Sequence, residues 1–258
     1  MPDEKYILAR IMLRAAVPLA KVLVEDDPKM REKYRGFNAV VQFEVKDYDD
    51  LVTQLNFVDG IPEIKFERSE NPDVNFIFKN PGQLNAFFGG KIAMPKIKGM
   101  TKLGILLKVV PLLLGLTILL PTKKPKDPAK KKMKVKLLFY MLSSALSQMN
   151  KAGDEDFREF TKKMPDRVFQ WTCVPDGPYA YLRIKHGKTK AGRGLYTRKR
   201  PFIDMQFQGV DKAIKVLTNE VDLLQAIRGG YLVQEGSPEY GMYLGNFMLK
   251  IDAWIKEA

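Results

Sequence analysis

The chain has 258 residues, of which 45% are apolar, and it carries 43 Lys/Arg against 30 Asp/Glu, for a formal net charge of +13. This composition predicts a globular protein, and the length exceeds the roughly 100–200 residues of one domain. The single cysteine, Cys173, excludes an intrachain disulfide and a cysteine-cluster metal site. Asp3 and Glu4 precede the first apolar stretch, which fits a secretory signal poorly, so we expect a cytoplasmic protein.

The first half of the chain is predicted to begin with helices over residues 6–24 and 28–34, followed by strands at 40–45, 63–68 and 74–78. Residues 40–45 alternate apolar and polar side chains, the period of two that is typical of a half-buried strand. A short helix at 83–88 ends at Gly89-Gly90, because glycine permits a left-handed C-cap. A further strand and an almost wholly apolar helix over 99–120 complete this half.

Residues 122–136 contain eight lysines and one aspartate, which amounts to +7 of the net charge of +13. Prolines stop helices and like charges extend a chain, so the segment predicts a linker between a domain at 1–121 and a domain at 137–258. Each lysine near an anionic membrane leaflet contributes about 1 kcal/mol, which makes the linker a candidate for membrane attachment. A merely solvated linker is the alternative. The candidate lysines are Lys123, Lys124, Lys130, Lys131, Lys132 and Lys134.

The second half follows the same order, with helices predicted at 135–149 and 154–163 and strands at 168–174, 179–185, 194–197 and 202–208. Asp176-Gly177-Pro178 and His186-Gly187-Lys188 indicate turns. Short helices at 213–217 and 222–228 lead to Gly229-Gly230. A final strand and an amphipathic helix over 238–257 end the chain.

The two halves repeat one another in sequence. Residues 84–90 (LNAFFGG) return at 224–230 (LQAIRGG), an offset of 140, whereas 40–43 matches 168–171 at 128 and 76–79 matches 205–208 at 129. This drift predicts an insertion of about the size of residues 209–219 in the second half. An internal repeat of this length predicts two similar domains.

Several phrases carry a family resemblance. In the first half Gly89-Gly90-Lys91-Ile92 leads into residues 96–99 and an apolar helix; in the second, residues 202–207 precede Gly229-Gly230-Tyr231-Leu232 and Glu235-Gly236. Over residues 36–120 and 165–256 each half resembles the sterol carrier protein family of lipid-binding domains. The resemblance implies an α+β fold, in which each domain has a mainly antiparallel sheet covered on one face by helices. It also implies an apolar cavity for a sterol, fatty acyl chain or related lipid, with no cofactor, no metal and no catalytic residues. Tandem copies joined by a lysine-rich linker depart from the usual single-domain form.

Cavities that accept acyl chains are lined by flexible apolar and aromatic side chains. The alternative for each such residue is an ordinary place in the core. We predict the following ligand-binding residues: Phe78, Phe87, Phe88, Met94, Leu106, Val110, Leu113 and Leu114 in the first domain, and Trp171, Met205, Phe207, Met242, Phe247 and Met248 in the second.

Residues 105–120 contain a single charge, Lys108, which leaves three readings of the segment. It is slightly short for a membrane span, which needs roughly 17–25 residues, and Pro111 interrupts it. The other two readings of the segment are a helix buried against the sheet and a helix docked on a bilayer.

A second basic cluster spans residues 183–200, and no acidic residue occurs from 179 to 203. It suits phospholipid headgroups, a coenzyme phosphate or nucleic acid, although no RNA-binding signature accompanies it.

The only histidine, His186, lies in a predicted turn, and no nucleophile elbow or phosphate-binding loop is present, so we expect no enzyme.

The favoured function is binding and transfer of a hydrophobic ligand with membrane-surface contact. The alternatives are a scaffold or accessory subunit of a lipid-handling enzyme and, less favoured, a nucleic-acid-binding protein.

Overall fold

The computed structural model describes residues 3–258, and the density of internal contacts divides them into two units. The first unit comprises residues 3–117 together with 253–258, and the second comprises residues 118–252. Each unit contains one five-stranded sheet with helices packed against it. The predicted α+β class, with two sheet-and-helix domains, is confirmed.

The first unit begins with helix α1 (Glu4–Ile11), α2 (Leu19–Asp26) and α3 (Pro28–Tyr34). Asp3 caps α1 by accepting a hydrogen bond from the backbone N–H of Lys5, and Asp27 caps α3 ahead of Pro28. The single helix predicted over 6–24 is interrupted by a π-helical turn at Met12–Ala16. Pro18 follows this turn and has no N–H to continue the α-helical ladder.

The first sheet consists of β1 (Ala39–Val45), β2 (Val52–Val58), β3 (Ile61–Lys65), β4 (Val74–Phe78) and β5 (Lys96–Lys98), in the order β3-β2-β1-β4-β5. Only the central β1–β4 pair is parallel. Helix α4 (Pro81–Phe88) follows β4, and helix α5 (Leu103–Leu116) follows β5 and packs against α2.

The second unit opens with α6 (Pro128–Ala152) and α7 (Glu155–Lys162). Its sheet contains β6 (Arg167–Val174), β7 (Tyr179–Lys185), β8 (Lys188–Arg193), β9 (Ile203–Gln208) and β10 (Leu232–Gly236), in the order β10-β9-β6-β7-β8. Helices α8 (Val210–Leu217) and α9 (Leu223–Arg228) connect β9 to β10, and α10 (Pro238–Glu257) closes the chain. Again only the central pair, β6 and β9, is parallel.

The two sheets have matching strand orders, and their registers agree with the offsets seen in the sequence. Phe43 pairs with Phe76 in the first sheet, and Trp171 pairs with Met205 in the second. These residues are related by offsets of 128 and 129. All four side chains are at most 4% exposed, so both central strand pairs contribute to a buried apolar core.

Helix α8 occupies the region where the sequence drift predicts an insertion. Helices α4 and α9 end with corresponding hydrogen bonds: Lys91 N–H donates to Ala86 O at 2.9 Å, and Tyr231 N–H donates to Ala226 O at 2.8 Å. Both bonds follow a glycine pair in which the second glycine has a positive φ. Because α4 corresponds to α9, α8 has no counterpart in the first unit.

The extended linker predicted over 122–136 is wrong from residue 128 onward. The Asp127 carboxylate accepts a hydrogen bond from Lys130 N–H at 2.9 Å, and Pro128 occupies the first turn of α6. Proline is tolerated there because the first N–H groups of a helix have no partner within the helix. The helix is 25 residues long, and it includes most of the lysine-rich segment.

Three strand predictions also differ from the structure. Strand β2 was missed because residues 52–55 are all buried, so apolar and polar residues do not alternate there. Strand β3 ends at Lys65 rather than continuing to 68. Strand β8 starts at Lys188 instead of 194, because His186 and Gly187 both have positive φ and form a tight hairpin turn.

Candidate lipid and membrane interface

Four of the predicted ligand-binding residues lie in the fully buried cores. Phe78, Trp171, Met205 and Phe207 are at most 2% exposed. The ring of Phe207 lies 5.3 Å from that of Phe139 on α6, as expected for close packing between helix and sheet. These side chains reach a ligand only if the covering helices leave room for it.

Six further predicted residues are half-buried, and the three phenylalanines among them belong to aromatic clusters. In the first unit the centroid of the Phe87 ring lies 5.5 Å from that of Phe78 and 5.4 Å from that of Phe88. This cluster therefore reaches from the core towards the surface at α4. In the second unit Phe247 lies 4.7 Å from Phe157. The half-buried residues are Phe87, Phe88, Leu106, Leu113, Phe247 and Met248.

The remaining four predicted residues are exposed, and two of them belong to an apolar stripe along α5. Leu103, Leu107, Val110 and Leu114 are 66%, 73%, 50% and 62% exposed. Their spacing of four, three and four residues places them on one side of the helix. The opposite side buries Val109, Leu112 and Leu116. A helix that is apolar all round is normally buried, so the exposed side of α5 lacks an expected covering.

The loop before α5 extends this apolar surface. Ile92 is 100% exposed, Met94 is 65% exposed and Met100 is 62% exposed. The α5 face is defined here as Leu103, Leu107, Val110 and Leu114 with Ile92, Met94 and Met100. Sequence reasoning identified Met94, Val110 and Leu114 but missed the other four. The continuous apolarity of residues 103–116 was the available signal, because it leaves no polar side for solvent.

The chain segment that contains the α5 face carries charges of only one sign. Between Val74 and Thr117 the chain contains six lysines and no acidic residue. Lys102 forms an ion pair with Asp73 at 2.5 Å. Lys108 lies over the rings of Tyr34 and Phe37, with its Nζ 5.7 and 6.0 Å from their centroids. The other lysines of this segment are Lys79, Lys91, Lys96 and Lys98, and all four are exposed.

The structure divides the lysines predicted to face a membrane. Lys123, Lys124, Lys130 and Lys132 are exposed, whereas Lys131 pairs with Asp211 at 2.7 Å. Lys134 is 0% exposed, and its Nζ donates hydrogen bonds to Leu120 O at 2.8 Å and Lys123 O at 2.5 Å. The prediction for Lys134 as a surface residue is therefore wrong. It lies on the inner side of α6, where burial lowers the pKa of its ammonium group.

The second basic cluster is partly neutralised within its own unit. Arg183 donates two hydrogen bonds to the Asp166 carboxylate, at 2.7 and 2.6 Å, and this bidentate pairing holds the pKa of Asp166 well below its usual range. Lys199 also pairs with Asp166, at 3.4 Å. The Arg193 guanidinium lies over the Tyr140 ring, 5.1 Å from its centroid. The surface offered to polyanions is therefore smaller than the sequence indicates.

The residues considered for catalysis occupy structural positions. His186 is the first left-handed residue of the β7–β8 turn, with a φ of 45°. Cys173 is buried in β6, and burial raises the pKa of its thiol. Over residues 3–258 no group of His, Cys, Asp and Glu side chains is arranged to hold a metal ion. In the same residues, no helix combines the length and apolarity needed to cross a bilayer.

Comparison with known proteins shows no matching family model and no matching curated protein. A double mutant of the sec-alkyl sulfatase PisA1 aligns with a TM-score of 0.28 and 12% identity over 56% of this chain and 28% of that chain. The stereoselective inverting sec-alkylsulfatase Pisa1 from Pseudomonas sp. aligns with a TM-score of 0.27 and 12% identity, over 57% of this chain and 28% of that one.

Sterol carrier protein 2 like 2 from Aedes aegypti aligns with a TM-score of 0.25 and 15% identity, over 38% of this chain and 96% of that chain. For the two sulfatases, by contrast, this chain spans only 28% of the length of the chain it matches. Scores this low establish no shared function with any of the three proteins.

Proposed function

We propose that this protein is a non-enzymatic lipid-binding protein that docks on anionic membrane surfaces through the α5 face and transfers a hydrophobic ligand. The observation that carries the proposal is the exposed apolar stripe of α5, set in a segment with six lysines and no acidic residue. A surface that combines apolar and cationic side chains is complementary to an anionic bilayer.

The energetics favour docking in the plane of the interface. The 14 residues of α5 are too few to cross the hydrocarbon layer, which needs about 20 residues. Each methylene group that leaves water contributes about 0.8 kcal/mol, so burial of four leucine or valine side chains supplies several kcal/mol. Each nearby lysine adds about 1 kcal/mol at an anionic leaflet. The two contributions together support stable but reversible attachment.

The ligand part of the proposal rests on the aromatic cluster of the first unit. Phe87 and Phe88 are half-buried on α4 and connect the buried Phe78 to the protein surface. An acyl chain that displaced these rings would enter between α4 and the sheet. The matching strand orders further support the view that both units are copies of one lipid-binding domain, in which the second copy gained α8.

Membrane docking is tested by flotation with phosphatidylcholine vesicles, with and without phosphatidylserine. The double variant Leu103→Glu/Leu107→Glu places two carboxylates on the α5 face, where both side chains are already exposed. We expect it to lose most of its binding to anionic vesicles. The control Val58→Glu adds a carboxylate at a site that is 51% exposed and lies outside the lysine-rich segment, so it should bind like the wild type. Equal binding by Leu103→Glu/Leu107→Glu and the wild type would rule out docking through α5.

Ligand binding is tested separately, by native mass spectrometry of the purified protein followed by denaturation and identification of released molecules. A co-purified lipid at near-integer stoichiometry supports a carrier. A ligand-free mass that does not change when sterols, fatty acids or phospholipids are added contradicts the carrier function. Membrane docking without a ligand would then favour an accessory subunit of a lipid-handling enzyme.

A further inference from the structure

The second sheet has one face packed against helices and another that solvent reaches, and side chains of the two faces alternate along β7. Leu182 and Ile184 are 0% exposed, as expected beneath the covering helices. Tyr181 and Arg183 are half-buried, and Lys185 is exposed. Successive side chains of a strand point to opposite faces, so these three residues lie on the side of the sheet that the helices leave open.

Strand β8 contributes to the same open side. Thr189 points the other way, because its hydroxyl oxygen lies 3.2 Å from that of Ser147 on α6. Its neighbours Lys188 and Lys190 therefore lie on the side away from α6. The register places Tyr181 opposite Gly192, Arg183 opposite Lys190 and Lys185 opposite Lys188. We define the hairpin face as these six residues: Tyr181, Arg183, Lys185, Lys188, Lys190 and Gly192.

The positive charge of the hairpin face is only partly neutralised by the protein. Arg183 pairs with Asp166 at 2.6 Å. The three lysines of the face are exposed, and none of them forms an ion pair within residues 3–258. Lys185 and Lys188 lie directly opposite each other, and such a pair of like charges destabilises a sheet. A bound polyanion would remove this repulsion.

The corresponding hairpin of the first unit has no such excess of one charge. Strands β2 and β3 occupy the same places in the strand order as β7 and β8. There Asn56 lies opposite Glu63, and Gln54 lies opposite Lys65. These positions hold one charge of each sign, whereas their counterparts in the hairpin face are two cations, a tyrosine and a glycine. The shared sheet therefore does not require the basic and aromatic surface of the second unit.

The aromatic part of this surface lies flat on the sheet. A Cβ added to Gly192 would lie 2.0 Å from Cζ and 2.3 Å from Cε1 of Tyr181, so the ring covers the backbone of this glycine. The ring of Tyr196 meets that of Tyr181 at 65°, with their centroids 4.9 Å apart. Both tyrosines are half-buried, so solvent reaches part of each ring. A planar group of a ligand can stack there.

We propose that the hairpin face, together with Tyr196, binds single-stranded nucleic acid. Bases would stack on the rings of Tyr181 and Tyr196, and phosphates would contact the three lysines of the face. Aromatic rings beside a row of cations are the usual means of binding single strands without sequence preference. The rings favour this ligand over a membrane, because tyrosines that lie flat on a strand do not insert between lipids, whereas a base can stack on them. The site shares no residue with the α5 face.

The test is fluorescence anisotropy of the full chain with labelled 12-nucleotide oligouridine and oligothymidine, and with a duplex of oligothymidine and oligodeoxyadenosine. We expect at least one single strand to bind about tenfold more tightly than the duplex, whose bases are not free to stack on the tyrosines. The two single strands distinguish RNA from DNA as the preferred ligand. If neither single strand binds, or if the duplex binds equally well, the proposal is wrong.

Variants of the tyrosines test stacking. Tyr181→Leu should weaken single-strand binding by about tenfold, whereas Tyr181→Phe keeps the ring and should bind like the wild type. Tyr196→Leu removes the second ring at a position outside the strands and should also weaken binding. Full affinity of both leucine variants, with circular dichroism showing folded proteins, would overturn the stacking assignment.

Variants of the lysines test the phosphate contacts. Three contacts predict that raising the salt from 50 to 200 mM weakens binding by roughly 20-fold in the wild type. For Lys188→Gln/Lys190→Gln the same change of salt should weaken it by only about threefold. The control Lys130→Gln/Lys132→Gln removes the same charge from exposed positions of α6, which packs on the other side of the sheet, and should keep the 20-fold effect. Equal changes in both variants would show that net charge alone attracts the strand.

Flotation with phosphatidylserine vesicles tests the other occupant of the hairpin face. We expect Lys188→Gln/Lys190→Gln to bind these vesicles like the wild type. If this variant loses vesicle binding and the wild type binds neither oligonucleotide, the hairpin face is a membrane contact and the proposal is overturned.

Discussion

Gln42 and Gln170 occupy corresponding positions in the central strands of the two sheets, and each makes the same type of hydrogen bond. The Gln42 side-chain carbonyl accepts from Ser69 N–H at 2.7 Å, and that of Gln170 accepts from Tyr196 N–H at 3.0 Å. Both donors lie in the loop that joins the third and fourth strands of their sheet. Each glutamine is at most 3% exposed, so it fixes a covering loop from within the protein.

Replacement of Gln42 by Met should therefore destabilise the first unit by about 1–3 kcal/mol, because the half-buried N–H of Ser69 loses its acceptor and the buried Glu44 carboxylate loses the hydrogen bond from Gln42 Nε2. The amide of Ser69 should also exchange with solvent faster. Urea unfolding and amide hydrogen exchange measure the two effects. Slow exchange at Ser69 in the variant would show that the loop is held by other contacts.

The two glycines that mark corresponding strand ends should not tolerate alanine. A Cβ on Gly99 would approach Asp73 O to 2.1 Å, and one on Gly236 would approach Phe202 O to 2.1 Å, while φ is +84° and +100° at these positions. Gly99→Ala and Gly236→Ala should each cost at least about 1–3 kcal/mol in thermal or urea unfolding. Gly104→Ala is the control, since no neighbour lies within 4 Å of its added Cβ, and it should be neutral or slightly stabilising.

Tyr34 should make stability depend on pH in the alkaline range. Its hydroxyl donates to Lys108 O, and burial raises the pKa of the phenol from 10.0 to about 12. Because the folded protein holds this proton more tightly than the unfolded chain, its contribution is fully present below pH 10. It is lost as the pH rises from about 10 to about 12, by up to about 2–3 kcal/mol.

The measurement for Tyr34 is the free energy of unfolding of the wild type and of Tyr34→Phe across this pH range. Comparison of the two proteins cancels the titration of the other tyrosines and lysines. The difference between them should shrink above pH 10. A constant difference would mean that Tyr34 titrates alike in the folded and unfolded states.

Lysines beside the α5 face should contribute more to membrane binding than the ion-paired lysine of α6. Lys96→Gln/Lys98→Gln should lower partitioning into phosphatidylserine vesicles by up to about 2 kcal/mol, or roughly 30-fold, at low salt. Lys131→Gln should have a smaller effect per residue, since Lys131 is paired with Asp211 at 2.7 Å. Vesicle flotation at two salt concentrations compares them. A larger loss for Lys131→Gln would place the docking surface on α6 instead.

The sequence repeat was sufficient to predict two similar sheet-and-helix domains and the position of the inserted helix. It succeeded because the matched segments form the central parallel strands, where residues such as Phe43 and Trp171 are buried and strongly constrained. The turn at His186-Gly187 was also predictable, because a tight hairpin turn needs left-handed backbone, which glycine adopts readily and few other residue types do.

Other features depend on distant contacts that no local pattern reveals. The fully buried Lys134 is compatible with α6 only because the carbonyls of Leu120 and Lys123 surround its ammonium group. Sequence reasoning identified only three of the seven residues of the α5 face, because an apolar helix has the same sequence pattern whether it is buried or exposed.

The parallel pairing at the centre of each sheet makes the order of assembly important. Strands β6, β7 and β8 can form a meander from consecutive segments, but β6 gains its other neighbour only when β9 arrives. A nascent or truncated chain that stops before residue 203 would therefore expose one edge of β6, which has the longest run of buried residues in this sheet. Such an edge is a template for pairing with another chain, so truncation between β8 and β9 creates a molecule prone to aggregate rather than a smaller folded domain.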